Sequence, residues 1–139
     1  MRTNLTLEDL PGFLDLPLVA VLATLRQDGS VQLSPVWHEW RDAGFNLWLP
    51  AADVKTRHLR RDPRASLVVA ESETPLRGVE LRTEARLIDR DVRATAVRIA
   101  TRYVGGAKGI EYVGSAENDV LARLEPGHLR VWDFADEYD

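Results

Sequence analysis

Five basic side chains fall within ten residues in Lys55-Thr56-Arg57-His58-Leu59-Arg60-Arg61-Asp62-Pro63-Arg64, in a chain whose 22 acidic residues outnumber its 18 lysines and arginines. Beside a helix start, Lys55, Thr56 and Arg57 form a donor set for phosphate oxygens. The helix N-terminus presents unpaired backbone N–H groups, and the side chains add charge-assisted hydrogen bonds. A solvated helix face accounts for the same composition. Helical spacing sets a condition on the first reading: residues 55 and 57 do not share a face, so both reach one phosphate only if Lys55 sits in the entry turn. Arg57, Arg60, Arg61 and Arg64 share a face more easily.

A second segment, Gln32-Leu33-Ser34-Pro35-Val36-Trp37-His38-Glu39-Trp40, holds a proline and two of the four tryptophans. Proline is confined to strand edges and bulges. A strand interrupted there leaves backbone amides free to read the polar edge of a planar ring while an aromatic side chain covers its face. An edge strand with core tryptophans explains the residues equally well. No side chain is marked as catalytic; solvent, or a nearby group such as His38, would have to supply any proton. Ser34 lacks the context of a nucleophile elbow. There is no GxxxxGK[ST], no GxGxxG, and no metal-ligand spacing among His38, His58 and His128, so no metal is expected.

These segments must be held by a scaffold. Thr6 followed by Asp9, with Leu7, Leu10 and Leu14 at helical spacing, predicts a short N-terminal helix ended by Pro17. Leu18–Leu25, Asp28-Gly29 and Val31–Trp40 predict a β-hairpin, and Phe45–Leu49 a third strand. Asp53 caps a helix from Val54 to about Arg61, limited by Pro63. Strands follow at Ala65–Ala70 and Val79–Ile88, then the longest helix, Val92–Tyr103, which Gly105-Gly106 ends. A Gly105–Gly114 loop, a brief helical stretch at Glu117–Leu124, a strand at His128–Phe134 and a frayed acidic tail from Asp133 to Asp139 complete the reading. About six strands without βαβ alternation indicate an antiparallel α+β barrel or sandwich.

With 139 residues, one domain spanning 1–139 is expected. The absence of cysteine excludes disulfides, thiolate metal sites and cysteine nucleophiles, and fits a cytoplasmic protein. A net charge of −4 argues against nucleic acid as a partner. The longest apolar run, Leu16–Leu25, is about half the roughly 20 residues of a membrane-spanning helix, and no membrane partner is expected. Glu8 and Asp9 do not fit a signal peptide.

The order V-A-V-L-A-T-L-R-Q-D-G-S-V-Q-L-S-P-V-W (19–37), V-K-T-R-H-L-R-R-D-P-R-A-S-L-V-V (54–69) and G-V-E-L-R-T-E-A-R-L-I (78–88) resembles the split β-barrel flavin and deazaflavin oxidoreductases related to pyridoxamine 5'-phosphate oxidase. It is most similar to the actinobacterial branch that uses coenzyme F420, with His58 where that branch has Asn. The resemblance spans most of the chain. It implies a six-stranded antiparallel split barrel, a homodimer with two cofactor sites at the interface, and hydride transfer from reduced F420 to an electron-poor small-molecule substrate. FMN, as in an oxidase or reductase, is the alternative cofactor; a non-catalytic F420 or flavin carrier and a haem-binding member are further alternatives. By the same resemblance Lys55, Thr56 and Arg57 bind the cofactor phosphate, Ser34, Pro35, Val36 and Trp37 line the ring, and Ala51 approaches it. The C-terminal strand with Trp132 reaches the other subunit's site. The arginines at 60, 61 and 64 suit the long anionic tail of F420 better than FMN. Substrate is expected to meet Trp37, Trp40 and the Gly105–Gly114 segment.

Overall fold

A computed structural model describes residues 1–137. The strands are β1 (Ala20–Leu25), β2 (Val31–Val36), β3 (His38–Trp40), β4 (Phe45–Pro50), β5 (Arg64–Ala70), β6 (Gly78–Glu84), β7 (Arg86–Ile88), β8 (Asp119–Leu124) and β9 (His128–Trp132). The helices are α1 (Val54–Arg61), α2 (Val92–Val104) and α3 (Gly106–Val113). Every paired strand runs antiparallel, in a five-stranded sheet ordered β2-β1-β5-β6-β9 and a four-stranded sheet ordered β3-β4-β8-β7. The fold class is α+β, as the residue pattern indicated, but the strands number nine rather than six among the described residues.

Two bends account for most of the difference. The expected strand 31–40 passes from one sheet to the other at Trp37, and 79–88 does so at Ala85, whose N–H bonds Pro63 O at 2.7 Å rather than a ladder partner. The two sheets are therefore joined through shared corners. Their facing sides bury Leu22, Leu47, Leu49, Leu67, Leu81, Leu124 and Val131, and Phe13 and Phe45 belong to the same core. In β1, the alternation that buries Ala20, Leu22 and Thr24 leaves Val21, Ala23 and Leu25 on the other face.

Other expectations are corrected. The N-terminal helix is two 3-10 turns, Leu7–Asp9 and Phe13–Asp15, because Pro11 is followed by Gly12 in the left-handed region at φ 75°. The Gly105–Gly114 segment is not a loop: α3 occupies it between two positive-φ glycines. The stretch 117–124 is not helical but contains β8, which lies between β4 and β7. Val120, Leu121 and Ala122 are all buried there, so the run shows no alternation. The final strand stops at Trp132, and Asp133 exchanges both backbone hydrogen bonds with Arg2, so the tail is anchored at its start. Its last residues, 138 and 139, lie outside the described residues.

Candidate functional site

The β2–β3 corner is built from α2. At a strand break the ladder no longer satisfies the backbone, and side chains take its place. The His38 N–H donates to the Tyr103 hydroxyl (3.2 Å), which itself donates to Leu18 O at 2.9 Å. Arg102 donates to His38 O, and also reaches Leu16 O at 3.0 Å. The corner residue Trp37 lies flat on Tyr103, with ring centroids 4.8 Å apart and planes 6° from parallel.

This corner opens onto a cleft of about 760 Å³, lined by Val19, Pro35, Val36, Trp37, Trp48, Leu49, Pro50, Lys55, Tyr112, Val113 and Asp119. The volume falls within the ordinary range for small-molecule sites. Three rings face one another across it: Tyr112 of α3 is tilted against Trp37 at 5.5 Å and meets Trp48 edge-on at 5.8 Å. The Trp48 Nε1–H donates to Asp119 Oδ2 at 2.9 Å, fixing the indole plane.

Lys55 stands in the first turn of α1, as the spacing argument requires. That helix forms because Asp53 caps it, its carboxylate accepting from the Val54 N–H at 2.7 Å, and it is pinned to β1 by a 2.9 Å hydrogen bond between His58 Nδ1 and Thr24 Oγ1. Lys55 Nζ is ion-paired with Asp53, and that hydrogen bond holds the Asp53 carboxyl below its ordinary range. The first turn keeps further N–H groups without intrahelical partners.

Of the expected site residues, the structure brings Pro35, Val36, Trp37 and Lys55 to one cleft. The other four are not part of its lining. Ser34 is buried on the inner side of β2, where the Gln32 side chain donates to its hydroxyl at 3.3 Å. Ala51 is half-buried next to the lining residue Pro50, Thr56 is fully buried with its hydroxyl donated to Pro50 O at 2.7 Å, and the Arg57 side chain is exposed. Arg60 and Arg61 are exposed, Arg61 donating to Leu25 O, while Arg64 is engaged with Asp62 at 2.7 Å.

Trp40 packs on Phe45 outside the cleft lining. His38 is fully buried. Its Nε2 bonds Leu18 O at 3.0 Å and its Nδ1 has no partner; burial first, and the Arg102 charge second, push it down to about 4. It is a neutral imidazole inside the corner and does not line the cleft.

Trp48, Tyr112 and Asp119 were missed as site residues. A signal existed for Trp48 alone: with Phe45, Leu47 and Leu49 inward, an indole on the opposite face of β4 needs a purpose. Among the described residues no group of three or more histidine, aspartate or glutamate side chains is placed to hold a metal ion, and no helix is long and apolar enough to cross a membrane.

The same fold recurs in solved structures. A conserved hypothetical protein of Mycobacterium tuberculosis superposes with a TM-score of 0.83 at 24% identity, over 97% of this chain and 89% of that one. An F420 reductase gives 0.70 at 22% identity over 85% and 93%, and the haem storage protein of Vibrio cholerae 0.71 at 19% over 88% and 91%. At such identities the likeness is one of fold. The sequence itself supplies the kinship: the family model described as pyridoxamine 5'-phosphate oxidase matches residues 7–133, from the first 3-10 turn past the last strand, and the chain belongs to that family.

Proposed function

We propose that the protein is an oxidoreductase whose cleft holds the ring of a deazaflavin cofactor, F420, and presents it to an electron-poor small molecule. One observation carries the reading: two segments far apart in sequence, Pro35–Trp37 and Lys55, meet at a single aromatic-walled cleft. When bound, the cofactor supplies hydride. The chain's residues do the rest. Lys55 and the first-turn amides of α1, including that of Thr56, take the phosphate, with Arg57 reaching it from outside. The backbone of Ser34–Val36 lies on an edge strand, since β2 pairs with β1 alone, and faces the polar edge of the ring. Trp37, held flat by Tyr103, limits where the ring lies, and Ala51 follows Pro50 at its margin. Any proton comes from solvent, because His38 is enclosed and neutral.

The six-stranded split-barrel reading is supported by the two shared corners: β2 with β3 and β6 with β7 each act as one bent strand, leaving β9 as an addition on β6. The chain pairs with a second copy through the outer face of β1 and β2, where Val19, Val31, Leu33 and Pro35 are exposed together. Val19 and Pro35 also line the cleft, so the cofactor site lies at that contact. Substrate is then the only other partner, and the cytoplasm its place.

FMN is the second reading, since a phosphate site at Lys55 and the α1 N-terminus would take either cofactor without regard to the ring attached. Arg57 and Arg60, exposed and outside any ion pair among the described residues, tip the choice to the more anionic F420. Haem fits less well, because the cleft lining includes no histidine. The test is a visible spectrum of the purified protein followed by fluorescence titration with F420 and with FMN at one ionic strength. Preferential F420 binding and reoxidation of reduced F420 by an acceptor support the proposal; tight binding without turnover makes the protein a carrier, preferential FMN binding moves the second reading first, and a Soret band overturns both.

A further inference from the structure

We infer that Tyr112 determines which substrates the cleft admits, selecting flat conjugated acceptors over three-dimensional ones; the inference rests on the cofactor reading above for what the cleft contains. Tyr112 lies on α3, outside both sheets, and two-thirds of its surface is exposed (66%), so nothing in the core requires an aromatic ring there. It nevertheless stands against both cleft tryptophans, tilted 44° to Trp37 and edge-on to Trp48. Those two indoles are fixed: one face of Trp37 is taken by Tyr103, and Trp48 is tied through Nε1 to Asp119. Tyr112 makes no side-chain hydrogen bond among the described residues and has neither the stacked partner of Trp37 nor the carboxylate of Trp48, and its helix is bounded by Gly105 at φ 90° and Gly114 at φ 61°.

A ring set between two fixed rings defines a slot rather than a bowl. A planar molecule entering it exchanges ring contacts with Tyr112 for ring contacts of its own, whereas a puckered or branched one must displace the phenol without such compensation. Asp119, whose Oδ2 is taken by Trp48, adds one acceptor at the slot for a ligand N–H or O–H.

The experiment compares wild type, Tyr112→Ala and Tyr112→Phe with menadione as the flat acceptor and 2-cyclohexen-1-one as the puckered one. Two readouts are used: quenching of tryptophan fluorescence by each compound in the protein alone, and kcat/KM for each with F420-loaded protein. The expected result is that Tyr112→Ala shifts the menadione-to-cyclohexenone preference by about tenfold toward the puckered compound. Tyr112→Phe should retain the wild-type preference, and the shift in Tyr112→Ala should persist when F420 is saturating. Equal changes for the two compounds, no change, or a shift that vanishes at saturating F420 would overturn the inference. If wild type binds no cofactor while the quenching preference still depends on Tyr112, the cofactor reading fails and the assignment of Tyr112 stands.

Discussion

Asp53 and Lys55 set the strength of the proposed phosphate grip. Lys55 is already paired with the residue that caps its own helix, so an incoming anion shares the ammonium with a carboxylate. Replacing Lys55 and Arg57 together by alanine should weaken F420 or FMN binding by several kcal/mol at most, since a hydrogen bond to a charged group contributes about 1.5 to 3 kcal/mol; fluorescence titration measures it, and unchanged affinity would move the phosphate elsewhere. Removing the competing charge in Asp53→Asn should act in the opposite sense and tighten binding several-fold. His38 predicts a pH effect on stability. Its folded-state pKa, about 4, lies below the ordinary 6.5, so between these values the unfolded chain takes up a proton that the folded protein refuses. The contribution is complete above pH 6.5 and is lost as the pH falls toward 4, by about 3 kcal/mol at roughly 1.4 kcal/mol per pKa unit. His58, lowered by burial and by neighbouring arginines, adds to the same slope. Urea unfolding at pH 7 and pH 4.5 should show the loss in wild type and a shallower one in His38→Asn.

The placement of α3 rests on its packing against α2, and a single glycine governs it. A Cβ added at Gly109 would stand 2.8 Å from Thr101 Oγ1, 2.9 Å from its backbone N and 3.0 Å from its Cα, so the two helices approach to backbone contact there. Gly109→Ala should lift α3 from α2 at a cost of about 1 to 3 kcal/mol, the usual range for overpacking. Faster amide exchange confined to α3, with the sheets unchanged, is the expected signature. The same geometry explains why this element was illegible in the sequence: three glycines in five residues, Gly105, Gly106 and Gly109, look like a loop, and only the close packing on α2 makes them helical. β8 was hidden for another reason, since burial of consecutive residues erases the period of two. By contrast β1, β4, β5 and α1 were legible because each buries one face more deeply than the other and has a cap or turn at its ends. The site was half legible on the same grounds. Proline in a strand and a basic helix start announce themselves locally, whereas Tyr112 and Asp119 reach the cleft through tertiary packing alone.

For the molecule as a whole, the count of strands depends on the two bends at Trp37 and Ala85, which a periodicity reading passes through without a mark. The exposed apolar face of β1 and β2 gives a prediction at this scale: Leu33→Asp, at a position 68% exposed in the single chain, should leave the fold intact, shift the protein from dimer to monomer in sedimentation, and lower cofactor affinity along with it. A wild type that sediments as a monomer would refute the proposed pairing. The connection between β7 and β8 has a consequence of a different kind. These strands pair directly, Leu87 opposite Ala122, yet residues 89–118 leave from the end of one and return to the start of the other, carrying α2 and α3 on the way. The ladder between β7 and β8 thus forms without the excursion, while Tyr103 and Tyr112, which shape the cleft, belong to it. Such an arrangement separates inheritance of the frame from inheritance of the chemistry: exchanges on the exposed side of α3 can retune what the cleft accepts while every strand pairing is passed on unaltered.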